Sequence, residues 1–359
     1  MVAATPSADS DFASRSARAL AFAGSFVVCL LAGGVLAITL MGQGHGPRYT
    51  LELPDSAGAP AGPPAKARAA APDPAQDIAP PAAIGPITKP VHAGRALLAD
   101  PALVQNTPQG PLPRIADDGR KPMTAYAAPA SGARKFKIAI LVGGLGVSAS
   151  ATQAAIANLP AAVTLGFAPY AGDVGDWVGT ARARGHEVVL QIPMEPFDFP
   201  DSDPGPHTLR AGITEEANIE RLHWSLSRFT GYAGVTNLLG QRFLSDSAAL
   251  SPVLSDLARR GLYFLDNGTA SQSVAPATAT QVGLPAAQSG GSLDSIQSAL
   301  EIDRRLLELE TQARANGSAV GSAFLYPVSV ARIAAWAKGL EARGFVLVPV
   351  SAIVNAPKQ

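Results

Sequence analysis

The sequence has little of several features that would point to a function. Its 359 residues include a single cysteine, Cys29, so neither a disulfide framework nor a cysteine-based metal site can form within the chain. Basic and acidic residues number 28 each and no long basic run occurs, which argues against a nucleic-acid surface. Charged residues make up only 16%, whereas 35 glycines and 31 prolines accompany 47% hydrophobic residues. This composition predicts an apolar folded domain together with a long unstructured part.

One apolar run near the N-terminus contains no charged side chain. Residues 19–41, ALAFAGSFVVCLLAGGVLAITLM, match the length of roughly 20 residues that a helix needs to span a membrane. Arg15 and Arg18 precede the run and few basic residues follow it, which favours a cytoplasmic N-terminus over residues 1–18. A cleaved signal peptide is the alternative, but its apolar part is shorter, about 7 to 15 residues. The sequence therefore predicts an uncleaved transmembrane helix.

Residues 42–134 are dominated by alanine, proline and glycine, as in AGAPAGPPAKARAAAPDPAQ. They show no sustained apolar period, so they bury too little surface to offset the entropy of ordering the chain. We expect a disordered, semi-extended linker. Its short apolar patch RALLADPALVQ allows a transient helix or a docking motif, although a plain linker is the simpler interpretation.

The pattern becomes regular over residues 135–355. Apolar runs predict strands at 137–143, 162–168, 187–193, 234–239, 261–266, 318–325 and 345–350. The stretches between them predict helices near 148–158, 173–184, 215–229, 247–260, 272–282, 293–315 and 328–343. Three helices end at a glycine followed by a new strand, as in ARARGHEVVL, which is typical of repeated β/α units. The pattern predicts an α/β fold with a parallel sheet, either a closed, distorted barrel of about seven strands or an open doubly wound sheet.

The first predicted strand leads into three glycines, at positions 143, 144 and 146. The stretch GLGVSA, residues 144–149, satisfies the G-x-G-x-x-A pattern of a dinucleotide-binding turn. That turn also needs an acidic residue about 20 positions further on to hold the ribose hydroxyls. No acidic residue occurs before Asp173, at the start of the next predicted helix. We therefore do not predict a dinucleotide cofactor.

Other common catalytic signatures are missing from the predicted domain. His186, His207 and His223 match neither H-x-x-x-H nor H-E-x-x-H, so surface or capping roles are expected for them. The sequence contains no G-x-S-x-G elbow and no phosphate-binding loop. The common signatures of serine hydrolases and nucleotide hydrolases are therefore absent.

Polar side chains at the C-terminal ends of the predicted strands form the candidate site, because this end carries the site in parallel β/α folds. They are Gln191, Glu195, Asn237, Gln241, Asp266, Asn267 and Tyr326. Glu195 and Asp266 are the candidates for a catalytic acid and base pair. Alternatively, both carboxylates accept hydrogen bonds from backbone amides where their loops begin.

Eight segments of the domain, taken in order, resemble the divergent polysaccharide deacetylases of the bacterial envelope, a branch of the NodB-like carbohydrate esterases. They are IAILVGGLG, LPAAVTLGFAPYA, GHEVVLQIPMEP, GVTNLLG, GLYFLDNGT, SVAPATATQVGLP, YPVSVARIAAW and LVPVSAIV, and they cover nearly all of residues 136–354. The resemblance implies a distorted (β/α) barrel of about seven strands. It also implies a divalent metal such as zinc at the C-terminal strand ends, where a metal-bound water attacks an acetyl carbonyl.

The sequence departs from this family at the positions that the resemblance assigns to metal ligands. The paired aspartates after the first strand fall on Gly143 and Gly144. Three histidines of the family pattern fall on Gln191, Leu238 and Phe324. Two further family positions fall on Gly268 and Gly290, whereas Glu195, Asn237, Asp266, Thr269, Asp294 and Tyr326 match. We therefore predict no metal and no cofactor, because a zinc site needs carboxylate or imidazole ligands.

The leading expectation is an inner-membrane protein, anchored through residues 19–41, whose inactive deacetylase-like domain faces the periplasm. It is expected to bind an envelope glycan, or a periplasmic or membrane protein, but no nucleic acid. The predicted cleft is lined by Gln191, Glu195, Asn237, Asp266, Asn267 and Tyr326. Two alternatives remain open. One is an active polysaccharide or peptidoglycan deacetylase that uses Glu195 and Asp266, and the other is an envelope assembly scaffold in which the linker is the working part.

Overall fold

The structure is a computed structural model that describes residues 99–130 and 136–354. The predicted cytoplasmic segment, the predicted transmembrane helix and the linker up to residue 98 lie outside the described residues. Within the described ranges, no helix combines the length and the hydropathy needed to cross a membrane.

The elements are named here in chain order. They are β1 (Val104–Thr107), β2 (Gly110–Pro113), α1 (Pro122–Ala125), β3 (Phe136–Leu145), α2 (Ala149–Asn158), β4 (Thr164–Phe167), α3 (Val174–Ala183), β5 (Val188–Met194), α4 (Glu215–Leu226), β6 (Gly234–Leu239), α5 (Ser247–Arg259), β7 (Tyr263–Asp266), α6 (Ala275–Val282), β8 (Ala286–Gln288), α7 (Ala299–Asn316), β9 (Ser318–Phe324), α8 (Pro327–Lys338) and β10 (Phe345–Leu347).

Seven parallel strands of the described residues, β3 to β9, form a nearly closed barrel. The strands from β3 to β8 pair in chain order, and β9 pairs with β3. The chain just past β8 completes the circle, because Gly290 N donates to Val320 O at 2.9 Å and Leu293 N donates to Ser322 O at 2.7 Å. The predicted α/β barrel is confirmed, and the open doubly wound sheet is not.

Strands of the barrel are apolar along most of their length because both of their faces are buried. Ile138 and Ile140 of β3 pack outward against the helices, while Ala139 and Leu141 pack inside the barrel with Val189 of β5. Successive side chains of a strand point to opposite faces. By this alternation and the strand register, positions 143, 191, 238 and 324 point into the barrel in the half near its C-terminal end.

The three glycines predicted to end helices have left-handed backbones. Gly185, Gly261 and Gly344 have φ angles of +87°, +70° and +93°. Glycine adopts this conformation at little cost, so each helix can stop and the chain can enter the next strand.

Residues 99–130, which we call the strap, correct the predicted linker. They contain the antiparallel pair of β1 and β2, and Leu103 and Tyr126 are buried against the base of the barrel. The strap was missed because its strands are only four residues long and β2, GPLP, contains two prolines. Such short strands bury their apolar side chains against the barrel, so they need no apolar period of their own.

Three further differences from the predictions concern β8, β10 and α7. β8 was not predicted because it has only three residues, Ala286–Gln288. The predicted strand 345–350 is the short β10, which pairs with the start of β3 and takes no part in the barrel circle. Helix α7 begins at Ala299 rather than near 293. The side chain of Ser298 accepts a hydrogen bond from Glu301 N and caps the N-terminus of the helix.

Candidate functional site

The structure brings the four inward positions together at the C-terminal end of the barrel. Gln191 is 3% exposed, and its Oε1 accepts a hydrogen bond of 2.6 Å from Gly144 N. A Cβ atom added to Gly143 would lie 2.7 Å from Gln191 Nε2. The amide of Gln191 therefore occupies the space into which a side chain at position 143 would point.

The ring of Phe324 occupies the space next to Gly144, as the amide of Gln191 does next to Gly143. An added Cβ atom would lie 2.5 Å from Phe324 Cζ and 2.8 Å from Cε1, distances that real Cβ atoms essentially never show. Gly144 also has a φ of +87°, and the pairing of β3 with β4 shifts register between Val142 and Leu145. Both the ring and the backbone conformation thus exclude an ordinary side chain at position 144.

Gly268 is closed to a side chain by backbone atoms. It has a φ of +75°, and an added Cβ atom would lie 2.6 Å from Ser289 O. The family that the sequence resembles is expected to have an arginine at this position. The loop after β7 therefore follows a course that leaves no room for that arginine.

The residues at these positions do not fit a divalent metal. Glycines stand at the two positions where the family pattern has aspartates. A glutamine, a leucine and a phenylalanine stand at the three positions where it has histidines. Among the described residues, no group of three or more His, Cys, Asp or Glu side chains is arranged to hold a metal ion. The space is also filled by Gln191 and Phe324, so the structure offers neither the ligands nor the room for zinc.

Glu195 and Asp266 are both buried, but each is engaged by its own loop. Glu195 Oε2 accepts a hydrogen bond of 2.7 Å from Ala211 N, and Oε1 lies 3.7 Å from Arg242 Nε. Asp266 Oδ1 accepts from Gly268 N at 2.9 Å. Within the described chain no hydrogen bond joins the two carboxylates. This is the arrangement expected if both side chains serve the backbone at the starts of their loops.

Asp266 also makes a second contact, away from the inward positions. Its Oδ2 accepts a hydrogen bond of 3.0 Å from Gln288 Nε2 on the neighbouring strand β8. Both oxygens of Asp266 therefore have partners that hold the ends of β7 and β8.

Asn237 and Asn267 bind each other at the ends of β6 and β7. Asn237 Oδ1 accepts from Asn267 N, and Asn267 Nδ2 donates to Asn237 O, both at 2.9 Å. Asn237 Nδ2 donates to the carbonyl oxygen of Leu239 at 2.7 Å, and Leu239 itself has a φ of +57°. The two amides thus fix the backbone of the barrel rim beside Leu238 and Leu239.

An open groove of about 430 Å³ lies beside the filled positions. Its lining combines residues from several loops: Pro204, Leu238, Leu239, Ser292, Asp294, Ser295, Gln297, Phe324 and Tyr326. The rings of Phe324 and Tyr326 are 5.4 Å apart, and Phe324 is 38% exposed. The groove therefore offers aromatic and apolar surface with hydroxyl and amide groups at its edge.

Asp294 holds the groove in place. It is 4% exposed, and its Oδ2 accepts hydrogen bonds of 2.7 Å from both Phe324 N and Ser329 Oγ. Its Oδ1 accepts from Ser292 Oγ at 2.8 Å. Asp294 matched the family pattern in the sequence, whereas Pro204 and Gln297 were missed because nothing local in the sequence links their loops to the groove.

The three histidines of the barrel domain do not line the groove. The His186 ring is buried and lies 2.9 Å from Val163 O through Nδ1, where burial lowers the pKa of the imidazole. His207 stacks on Trp224 with 3.6 Å between ring centroids, and His223 lies 3.0 Å from Asp256 Oδ2. The contact of buried His186 with Val163 O is a capping role, as expected, whereas His223 differs from the expectation because it pairs with the buried Asp256 of the neighbouring helix.

A family profile described as "Divergent polysaccharide deacetylase" matches residues 140–354. The chain belongs to the divergent polysaccharide deacetylase family. It is 26% identical over 223 residues to the uncharacterized protein YibQ of Escherichia coli K12, covering 62% of this chain and 68% of YibQ. The crystal structure of the uncharacterized protein ATU2773 from Agrobacterium tumefaciens C58 is 45% identical, with a TM-score of 0.67, and covers 68% of this chain and 100% of that one.

An uncharacterized protein of Haemophilus influenzae is also similar. It is 22% identical over 204 residues, which cover 57% of this chain and 72% of that protein. This member of the divergent polysaccharide deacetylase family thus combines the barrel of the family with filled ligand positions and an open groove.

Proposed function

We propose that this protein is a non-catalytic member of the divergent polysaccharide deacetylase family that binds an envelope glycan in the groove. One observation carries the proposal. Gln191 and Phe324 fill the places that side chains at positions 143 and 144 would take, while an open groove remains next to them. Hydrolysis needs a group that activates water, whereas binding needs only a shaped surface.

The chemistry of the groove supports a sugar as the ligand. Aromatic rings such as Phe324 and Tyr326 provide flat apolar surface, which suits the apolar face of a pyranose ring. The hydroxyls of Ser292 and Ser295 and the amide of Gln297 can donate or accept hydrogen bonds at the edge of the groove. A mostly apolar recess with a few placed polar groups is the usual form of a small-ligand site.

The proposal includes the location of the protein. Residues 19–41 anchor the chain in the inner membrane, and a linker from residue 42 to residue 98 connects the anchor to the folded domain in the periplasm. The length and composition of these segments support this arrangement. Fusion of a periplasm-dependent reporter after residue 45 tests it, since activity is expected only when that residue lies outside the cytoplasm.

Glycan binding is tested with a fragment of residues 99–359. We expect peptidoglycan fragments to bind in calorimetry, and Phe324→Ala and Tyr326→Ala each to weaken binding by about 5- to 150-fold, since stacking on an aromatic ring contributes about 1 to 3 kcal/mol. Phe197→Ala is the matched control, because Phe197 is 62% exposed and does not line the groove. Equal binding by all of these variants would overturn the proposal.

An active deacetylase is the second candidate, because Glu195 and Asp266 are retained and buried. It requires that the wild-type protein releases acetate and that Asp266→Asn abolishes this release without unfolding the domain.

Deleting the linker distinguishes an assembly scaffold from both the glycan-binding protein and the deacetylase. Because residues 99–130 pack on the barrel, the deletion must end at residue 98, and binding in the groove is then expected to survive.

A further inference from the structure

The exposed aromatic rings of the barrel are concentrated at one end. Among the described residues, the phenylalanine, tyrosine and tryptophan side chains that are exposed are Tyr170, Phe197 and Phe324. Tyr170 follows β4, Phe197 follows β5 and Phe324 ends β9, so all three lie at the C-terminal end of the barrel, as the groove does. Phe324 lines the groove, whereas Tyr170 lies outside its lining. Exposed rings that gather at one end of a domain mark a binding surface.

A short loop connects Tyr170 to the groove. Pro204 lines the groove, and the next residue, Gly205, lies against the ring of Tyr170. A Cβ atom added to Gly205 would lie 2.5 Å from Tyr170 Cζ, so the ring takes the space of a side chain at position 205. Two residues further on, His207 N donates a hydrogen bond of 3.3 Å to the Tyr170 hydroxyl. Because three residues of chain span at most about 11 Å, the Cα atoms of Pro204 and His207 are no further apart than this.

Trp224 of helix α4 holds the rings outside the groove in place. The His207 ring stacks on Trp224 with 11° between the ring planes, and the Tyr170 ring lies 5.3 Å from Trp224. Stacking on Trp224 covers one face of His207 only, and Tyr170 is 38% exposed. We call the surface formed by Tyr170 and His207 the shelf. It presents two rings that are fixed by their neighbours and open to a ligand.

The loop between the groove and the shelf is held in one conformation. Its sequence is DPGPH, residues 203–207. Pro204 and Pro206 fix their own φ angles near about −65°. Gly205 has a φ of +128°, and its N donates to Asp203 Oδ1 at 2.8 Å. A surface that is ordered before binding loses little conformational entropy when the ligand arrives.

We propose that the glycan continues from the groove over Pro204 onto the shelf, so that the ligand is a glycan chain rather than a single sugar or a disaccharide. This inference rests on the proposed function, because it extends the same site. A chain that contacts both surfaces binds more tightly than one that contacts either alone, since the second contact forms within an existing complex.

The chemistry of the shelf suits a further sugar of the chain. The rings of Tyr170 and His207 offer flat surface to a pyranose ring, as Phe324 and Tyr326 do in the groove. The Tyr170 hydroxyl accepts from His207 N and keeps its own proton to donate to a sugar hydroxyl. Burial and the nearby guanidinium groups of Arg221 and Arg228 lower the pKa of the His207 imidazole, so this ring is uncharged at neutral pH.

Binding of glycan fragments of two lengths tests the proposal. The full chain in detergent micelles is titrated by calorimetry with the disaccharide and with an octasaccharide of peptidoglycan, both free of peptide stems. We expect Tyr170→Ala and His207→Ala each to weaken binding of the octasaccharide by at least about 5-fold, and to leave binding of the disaccharide within about twofold of the wild type. The octasaccharide also has more frames in which to bind, but this statistical gain is the same for the variants and the wild type.

Two controls separate this proposal from the proposed function. Phe324→Ala acts in the groove and should weaken binding of both fragments, whereas Phe197→Ala changes an exposed ring outside the groove and should weaken neither. If Phe324→Ala leaves binding of both fragments unchanged, or if the wild type binds neither fragment, the proposed function fails.

The extension alone is overturned by two other results. In one, Phe324→Ala weakens binding of both fragments, but Tyr170→Ala and His207→Ala bind the octasaccharide as tightly as the wild type. In the other, the two shelf variants weaken binding of both fragments equally, which means that they act only on the groove, through the loop at Pro204. Circular dichroism checks that each variant is folded, and His207→Ala decides the question if Tyr170→Ala is not.

Discussion

The contact between Gly144 and Phe324 allows a quantitative test of whether the ring fills a vacated position. The perturbation is Gly144→Ala, alone and combined with Phe324→Ala. A non-glycine residue in the left-handed region costs about 1 to 3 kcal/mol. The new methyl group would lie 2.5 Å from Phe324 Cζ, and overpacking of this kind costs a further 1 to 3 kcal/mol, roughly. Gly144→Ala should therefore lower the free energy of unfolding by about 2 to 6 kcal/mol.

Phe324→Ala removes the steric part of this cost. A fully buried phenylalanine contributes about 3 to 5 kcal/mol, and since Phe324 is 38% exposed we expect a loss of about 2 to 3 kcal/mol for the single variant. In the double variant the overlap disappears while the backbone strain stays. The double variant should thus be more stable than the sum of the two single effects predicts, by about 1 to 3 kcal/mol.

Urea unfolding of residues 99–359, followed by circular dichroism, measures these differences. Gly344→Ala is the matched control, because Gly344 has a φ of +93° and an added Cβ atom meets nothing within 4 Å. The loss of unfolding free energy in Gly344→Ala therefore measures backbone strain alone. In a double variant with Phe324→Ala, the two losses should simply add. The reasoning is refuted if Gly144→Ala costs no more than Gly344→Ala and is also additive with Phe324→Ala.

Three further predictions concern the base of the barrel and the groove. Burial raises the pKa of the Glu187 carboxyl, so the folded state holds its proton more tightly than the unfolded state, and stability falls as pH rises through the folded pKa. Glu187→Gln keeps an acceptor for Tyr263 and Ser351, so it should flatten this loss in urea unfolding measured at increasing pH, starting from the ordinary glutamate pKa of 4.5. An unchanged dependence of stability on pH would contradict this prediction. Removing residues 99–130 takes away the buried side chains of Leu103 and Tyr126 and uncovers the base of the barrel, so it should lower the free energy of unfolding by more than about 3 kcal/mol, whereas equal stability would mean that the strap is only accessory. Asp294→Ala leaves Phe324 N and Ser329 Oγ without their acceptor, so it should cost about 2 to 4 kcal/mol and weaken glycan binding, and normal binding would show that Asp294 does not position the groove.

The barrel was predictable because its signals are local and repeated. Continuous apolar strands and the glycines that end helices, such as Gly185 and Gly261, recur along the chain and mark each β/α unit. The strap and β8 give no such signal, because short strands are stabilised by the surface on which they pack. Leu103 is buried by tertiary packing against the barrel, and the residues next to it in the sequence give no indication of this burial.

The candidate site was predictable only in part. Strand ends and the family pattern located Gln191, Leu238, Phe324 and Tyr326 at one end of the barrel. The sequence could not show that Gln191 and Phe324 fill the places of side chains at 143 and 144, since this depends on distances across β3, β5 and β9. It also could not show that Glu195 and Asp266 are already engaged, because their partners are backbone amides, which every residue type can offer, and the side chains of Arg242 and Gln288, which only the folded barrel brings close.

The central claim is that the ligand positions of this deacetylase-like barrel no longer form a metal centre. Elemental analysis of residues 99–359 after incubation with zinc and removal of free metal tests it most directly, combined with an assay of acetate release from peptidoglycan fragments. We predict far less than one zinc per chain and no acetate. One zinc per chain, together with acetate release, would contradict the account.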